Sequence, residues 1–197
     1  GGTWYWNRYP GARCDVESTA YSYSFSDELQ RDWRWTERYA RQPEILAYIA
    51  HVVDRFDLRR DMQFETRVIR ALFDERSNRW AIETDGNEYF SAKYCIMATG
   101  CLSVPNLPNF KGMDTFQGDI YHTGRWPHEE INFTGKWVGV VGTGSSAIQS
   151  IPVLANEAEQ LTVFQRTPNT ALPMQQRALD PEVQAVAKAN YPQLFAQ

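Results

Sequence analysis

The sequence is poor in cysteine and has no long apolar or basic run. Cys14, Cys95 and Cys101 are odd in number and lack paired metal-ligand spacing. This argues against a disulfide framework or a zinc site and favours a reducing compartment. No apolar stretch is long enough to cross a bilayer, and no signal-peptide pattern opens the chain. We therefore expect a cytoplasmic protein without a metal site or a membrane partner.

The charge balance excludes another class of partner. The formal net charge is −4, and lysine and arginine form no long run, which argues against nucleic acid and anionic membranes. An aromatic cluster from Trp4 to Tyr9 could stack bases, but no basic groove accompanies it. Because 43% of the 197 residues are hydrophobic, a globular core is expected.

What the sequence does contain is a strand, a glycine turn and a helix start. Lys136–Val141 is apolar and β-branched, as in a strand covered on both faces. Gly142 allows a tight turn, Gly144 lets the backbone approach a pyrophosphate, and small Ala147 lets helix and strand pack closely. The helix N-terminus offers unpaired N–H groups to phosphates, so we predict a dinucleotide site. Its candidate ligands are Gly142, Thr143, Gly144, Ser145, Ser146, Ala147, Ile148 and Gln149.

A second predicted strand, Leu161–Phe164, is followed by Arg166 and Thr167. NAD sites carry an acidic residue near this point for the ribose 2′-hydroxyl, whereas an arginine can fork onto a 2′-phosphate. The pattern therefore predicts NADPH as the coenzyme. The alternative is that Arg166 is an ordinary solvated arginine.

The sequence pattern of the rest of the chain predicts both helices and strands. Residues 1–35 lack clean periodicity and are expected to form an irregular region with short helical turns. Pro152 is expected to kink the helix after Gly144 or to cut it short. The other predicted elements are a helix over 43–56, an antiparallel meander over 64–72, 80–84 and 88–92, and a central strand over 94–98.

Two further stretches carry a more specific signal. Gly2–Asp15 reads GTWYWNRYPGARCD, and Phe116–Pro127 matches the pattern F-x-G-x-x-x-H-x-x-x-W-P at every fixed position. Together they resemble the paired fingerprints of the type I Baeyer–Villiger monooxygenases, which belong to the flavin-containing monooxygenase superfamily. The resemblance extends from Gly1 to about Pro173 and is closest to the phenylacetone, cyclohexanone and steroid monooxygenases.

The resemblance implies an enzyme with FAD in one domain and NADPH in the other. Such an enzyme inserts one oxygen atom of O2 next to a ketone carbonyl and gives an ester or lactone. The implied fold is α/β, a flavoprotein with two dinucleotide-binding domains. Residues 1–104 would be a partial FAD-binding domain of parallel strands plus the meander, without its first βαβ unit. Residues 105–127 would be the interdomain linker, and 128–197 the first part of a Rossmann-like NADP-binding domain.

The chain has no initiator methionine and ends at Gln197 just after a helical pattern. We interpret both ends as cuts in a longer polypeptide. In the family, the FAD phosphate loop would precede Gly1 and the catalytic arginine would follow Gln197. The chain alone is therefore expected to be inactive, and to expose apolar surface that the remainder of the same polypeptide covers.

The resemblance also assigns roles to single residues. Asp15 matches an aspartate held between flavin, nicotinamide and the catalytic arginine, which it keeps oriented and charged. By itself it could equally be a turn or cap residue. His122 matches a residue by the interdomain linker that governs domain movement, and a hydrogen-bonded structural histidine is the alternative. These two are the catalytic candidates.

The resemblance also assigns cofactor contacts. Trp4 could instead be a core aromatic, and Val68 an ordinary strand residue. The matched FAD contacts are Thr3, Trp4, Tyr5, Trp6, Asp15, Tyr21 and Val68, and the further NADP contacts are Arg13, Cys14, Asp15, Arg166 and Thr167.

Two other functions stay open at this point. A related flavin monooxygenase that oxidises nitrogen or sulfur usually ends the linker pattern differently, so Trp126-Pro127 favours the Baeyer–Villiger type. A non-catalytic nucleotide-binding module would have the glycine loop without the flanking catalytic segments.

Overall fold

The computed structural model describes residues 1–195, which form two compact units. The larger unit contains Gly1–Val52 and the chain from Cys101 onward, and the smaller unit contains Val53–Gly100. The helices are α1 (Thr3–Trp6), α2 (Asp27–Asp32), α3 (Gln42–Arg55), α4 (Ser145–Glu157), α5 (Pro181–Ala189) and α6 (Tyr191–Phe195), with short 3-10 turns at Leu58–Asp61 and Thr123–Arg125. The strands are β1 (Val68–Asp74), β2 (Arg79–Thr84), β3 (Tyr89–Ala92), β4 (Trp137–Val141) and β5 (Gln160–Phe164). Within 1–195, no helix has the length and apolar character needed to span a bilayer.

The core of the larger unit forms around α3. Ile45, Tyr48 and Val52 are buried because residues three and four apart share one face of a helix. The same cluster includes Cys14, Leu29, Trp35 and Ala40. The predicted helix over 43–56 is therefore confirmed. The short helical turns predicted within 1–35 are confirmed as α1 and α2.

The smaller unit is the predicted antiparallel meander, with the strand order β1-β2-β3. Asn78 and Asn87 have φ values of 52° and 60° in its two turns, a conformation that asparagine tolerates better than most residues. The first strand begins at Val68 and not, as predicted, at Phe64.

The central strand predicted over 94–98 is wrong. These residues are in no strand of the described chain, and Ile96 is 89% exposed. A central strand needs hydrogen-bonded neighbours along both edges, and none of the described strands pairs with this segment. Although Tyr94–Ala98 is apolar, it therefore pairs with no strand within the described residues.

A parallel strand pair connected by a helix forms the part of the larger unit that contains the glycine loop. Strands β4 and β5 are parallel, with Val140 opposite Val163, and α4 lies between them in sequence. Of the two effects expected of Pro152, the shortening of this helix is wrong, because α4 continues to Glu157, and a kink stays a prediction. An interior proline removes one backbone hydrogen bond, and the remaining bonds maintain the helix here.

Candidate functional site

The glycine loop lies where β4 ends and α4 begins. Gly142 has a φ of 105°, and its N–H donates to the carbonyl of Phe164 at 2.8 Å, which joins the carboxyl ends of β4 and β5. Gly144 is the N-cap of α4, and no described side chain caps this helix. A Cβ added at Gly142 or Gly144 would meet nothing within 4 Å. The uncapped N–H groups at the start of α4 therefore lie beside open space in which a phosphate fits.

Two side chains that follow β5 hold this loop. Gln165 Nε2 donates to Thr143 Oγ1 at 2.9 Å, and Asn169 Nδ2 donates to the Thr143 carbonyl at 3.0 Å. Between them in sequence, Arg166 is exposed and has no ion pair with another described residue. Thr167 is exposed as well. Sequence reasoning missed the roles of Gln165 and Asn169, since a side chain that ties two loops together leaves no local pattern.

The candidate FAD contacts near the start of the chain lie together. The indole N–H of Trp4 donates to the hydroxyl of Tyr21 at 2.9 Å, and the two rings meet edge to face with centroids 5.8 Å apart. The side-chain amide of Gln42, another residue that the sequence did not single out, donates to the carbonyl of Trp4. The four candidates of Thr3–Trp6 form α1, and Val68 lies in the smaller unit at the start of β1.

Arg13, Cys14 and Asp15 have very different surroundings. Cys14 is 2% exposed, its thiol donates to the carbonyl of Val16, and burial raises the pKa of this thiol. A contact between Cys14 and a coenzyme would therefore use its backbone. The guanidinium of Arg13 lies 3.9 Å from the carboxylate of Glu37. Asp15 is exposed, and its carboxylate has no hydrogen bond or ion pair with another described residue.

Gln149 connects this segment to α4. Its Oε1 accepts from the backbone N–H of Arg13 at 3.2 Å and from the hydroxyl of Tyr9 at 3.0 Å. Its Nε2 donates to the carbonyl of Arg13 at 3.0 Å. Both the oxygen and the nitrogen of this amide thus bond to protein groups, and a contact of Gln149 with the coenzyme stays a prediction.

His122 belongs to the linker fingerprint. Its Nδ1 accepts the backbone N–H of Gly124 at 3.1 Å and caps the 3-10 turn that follows. Nearby in the sequence, the ring of Trp126 lies 5.5 Å from that of Tyr121 and 6.2 Å from that of Phe133. The described contacts of His122 are local, and a role in domain movement stays a prediction.

Known proteins share this arrangement. A family model for pyridine nucleotide-disulphide oxidoreductases matches residues 18–191. A Baeyer-Villiger monooxygenase of Pseudooceanicola batsensis is 47% identical over 197 residues, which are 100% of this chain and 36% of that protein. The phenazine N-monooxygenase PhzNO1 of Lysobacter antibioticus is 45% identical over 195 residues, which are 99% of this chain and 36% of that protein.

A solved structure shows the same fold with both cofactors. The crystal structure of OTEMO in complex with FAD and NADP superimposes with a TM-score of 0.91 at 41% identity, over 100% of this chain and 38% of that one. The chain thus spans between 36% and 38% of the length of these relatives. The resemblance to Baeyer–Villiger monooxygenases is confirmed by these comparisons. The chain belongs to the pyridine nucleotide-disulphide oxidoreductase family and has the fold of flavoproteins with two dinucleotide-binding domains.

Proposed function

We propose that this chain is an internal part of a cytoplasmic, NADPH- and FAD-dependent Baeyer–Villiger monooxygenase. The enzyme inserts one oxygen atom of O2 next to a ketone carbonyl and gives an ester or lactone. The observation that carries this proposal is that one compact unit contains the open glycine loop with Arg166, the Trp4–Tyr21 pair and the exposed carboxylate of Asp15. The 47% identity to a Baeyer-Villiger monooxygenase supports the same function.

The residues of the glycine loop fit NADPH. Open space beside Gly142 and Gly144 lets the backbone approach a pyrophosphate, which the uncapped start of α4 attracts. Gln165 and Asn169 hold Thr143 and so fix the loop next to the chain that carries Arg166. A free guanidinium at this position binds a 2′-phosphate through charge-assisted hydrogen bonds.

The residues around Trp4 fit a flavin. Trp4 and Tyr21 fix each other through a hydrogen bond, so their rings offer a preorganised aromatic surface. When bound, FAD supplies the redox and oxygen chemistry that side chains lack. Asp15 contributes a negative charge that orients a cationic partner. Residues 1–104 would then belong to the FAD-binding domain, 105–127 to the linker, and 128–197 to the NADP-binding domain.

The remainder of the same polypeptide is the proposed partner of the exposed apolar surface. Ile96 and Tyr94 are 89% and 76% exposed, and Trp137 on β4 is 75% exposed. Large exposed apolar side chains within each unit are typical of surfaces that other chain segments cover.

The test uses the complete polypeptide loaded with FAD. It is mixed with NADPH and O2, and linear, cyclic and steroid ketones and a phenazine are offered in separate reactions. Coenzyme consumption that depends on the ketone, with an ester or lactone as product, is the expected result. NADPH consumption that yields only an N-oxide from a phenazine would instead assign the chain to nitrogen oxidation, the activity in the name of a 45% identical relative.

A further inference from the structure

The segment that carries Arg13 and Asp15 is attached to the helix of the glycine loop by one side chain. Gln149 lies in the second turn of α4 and makes three hydrogen bonds to this segment, at 3.0, 3.2 and 3.0 Å. Two of them engage the N–H and the carbonyl of Arg13, as a neighbouring β-strand would. The third comes from the hydroxyl of Tyr9, which is buried.

Gly11 brings the backbone of the same segment into direct contact with α4. Its φ is 81°, and a Cβ there would lie 2.1 Å from the carbonyl oxygen of Gln149 and 3.2 Å from Val153 Cγ2. No side chain can be added without displacing the helix or the segment. Tyr9, Gly11 and Gln149 therefore form one contact, which we call the Arg13 clamp.

The other side of the segment is also fixed. The Cys14 N–H donates to the Ala40 carbonyl at 3.1 Å, and the Gln42 N–H donates to the Ala12 carbonyl at 2.8 Å. The segment is thus held between α4 and the chain that leads into α3, and Asp15 follows directly. A rigid attachment on both sides defines the position of Asp15 relative to the glycine loop.

We propose that Gln149 is a positioning residue for hydride transfer: through the Arg13 clamp it fixes Arg13 and Asp15 relative to the coenzyme bound at the glycine loop. This inference rests on the proposed function. Both the oxygen and the nitrogen of the Gln149 amide bond to this segment, so in this proposal Gln149 acts through the segment and not through the direct coenzyme contact that the sequence predicted. Replacing it then leaves the phosphate contacts of the loop in place. The effect is expected on the rate of flavin reduction and not on coenzyme affinity.

The chain offers a matched control for this test. Gln184 on α5 pairs with the backbone of Trp35 in the same way, with its Oε1 accepting at 2.9 Å and its Nε2 donating at 3.0 Å. Gln149→Met and Gln184→Met each remove a pair of hydrogen bonds to one residue's backbone at near-constant side-chain volume, and Gln149→Met also removes the bond from Tyr9. Only the first of them touches the Arg13 segment. Tyr9→Phe is a milder variant that removes one hydrogen bond of the clamp.

The first measurement is hydrogen–deuterium exchange in the complete, FAD-loaded enzyme without coenzyme. Gln149→Met is expected to speed up exchange in the peptide over residues 9–15, and Gln184→Met only in the peptide that contains Trp35. Unchanged exchange over 9–15 in Gln149→Met would overturn the clamp. This readout does not depend on the enzyme's activity, so it separates a failure of the clamp from a failure of the proposed function.

The second measurement is anaerobic reduction of the bound flavin by NADPH in a stopped-flow instrument. Gln149→Met is expected to lower the limiting rate by up to about 100-fold, the scale on which a misplacement of about 1 Å acts. The NADPH concentration for half-maximal rate should change by no more than about twofold, because the contacts that bind NADPH before hydride transfer are kept. Gln184→Met should keep the parent rate. Weaker NADPH binding at an unchanged limiting rate in Gln149→Met, or an equal loss of rate in Gln184→Met, would overturn the positioning role.

Discussion

The side-chain amide of Gln165 donates to Thr143 Oγ1 at 2.9 Å and so connects the residues after β5 to the glycine loop after β4. The N–H of Gly142 bonds to the Phe164 carbonyl at 2.8 Å along the same edge. Arg166 follows Gln165 directly, so its backbone is held beside the loop that we propose binds the coenzyme phosphates, and its side chain is exposed. The proposed function therefore predicts that coenzyme choice and coenzyme binding depend on neighbouring residues whose contributions can be measured separately.

Arg166→Ala should weaken the binding of NADPH much more than the binding of NADH. Loss of a charge-assisted contact to the 2′-phosphate is expected to weaken NADPH binding by about 1.5–3 kcal/mol and to leave NADH almost unaffected. Titration of the complete enzyme with each coenzyme measures both dissociation constants. Arg76→Ala, in the exposed turn between β1 and β2, is the matched control and should change neither. Equal losses for both coenzymes would show that Arg166 does not contact the 2′-phosphate.

Gln165→Ala should affect both coenzymes alike. The hydrogen bond to Thr143 orders the loop that holds the pyrophosphate, which NADPH and NADH share. One such hydrogen bond has a net contribution of about 0.5–1.5 kcal/mol, so its loss is expected to lower the affinity for each coenzyme by up to about tenfold. A loss of affinity for NADPH alone would contradict this assignment and place Gln165 at the 2′-phosphate.

Asp15→Asn should separate flavin binding from oxygenation. The carboxylate is exposed and has no partner among the described residues, so its replacement by an amide of the same shape is expected to leave FAD content unchanged. Ester formation should fall, because the neutral amide no longer stabilises a neighbouring cation. FAD absorbance and product yield are measured on the same sample. Asp114→Asn, at an exposed linker residue, should keep both. Parent product yield in Asp15→Asn would remove Asp15 from the mechanism.

The buried phenol of Tyr48 predicts a loss of stability at alkaline pH. Burial raises the pKa of Tyr48 above its ordinary value of 10.0. The unfolded chain therefore loses this proton first, and the stabilisation, complete below about pH 10, declines as the pH rises through the folded pKa. One such proton gives a slope of up to about 1.4 kcal/mol per pH unit.

Urea unfolding between about pH 9 and 11 measures this contribution. Tyr48→Phe should unfold more easily at neutral pH, because the backbone N–H of Tyr23 loses its acceptor, but its stability should decline less steeply above pH 10. Identical slopes for the parent and Tyr48→Phe would refute the assignment.

The sequence predicted the elements whose patterns are local. The apolar stripe of α3, the turns of the meander and the glycine between β4 and α4 depend on neighbouring residues, and all three are present. The segment over 94–98 was predicted wrongly because a central strand depends on pairing with other strands, and none of the described strands pairs with it. Apolar composition alone does not distinguish a paired strand from an unpaired one.

The candidate site was predictable only in part for a similar reason. The resemblance predicted roles for Trp4, Tyr21 and Asp15, and the glycine spacing predicted the loop. The amides of Gln149, Gln165 and Asn169 act on residues elsewhere in the folded chain. Glutamine and asparagine have no motif of their own when their partners are backbone groups, so these contacts required the structure.

The incorporation of isotopically labelled O2 tests the central claim most directly. The complete enzyme, with FAD and NADPH, is given a ketone that supports coenzyme consumption, and the product is analysed by mass spectrometry. The account predicts one labelled oxygen atom in the ester or lactone and one NADPH oxidised per product. NADPH oxidation that yields hydrogen peroxide but no ester with any ketone, or an ester without label, would contradict it.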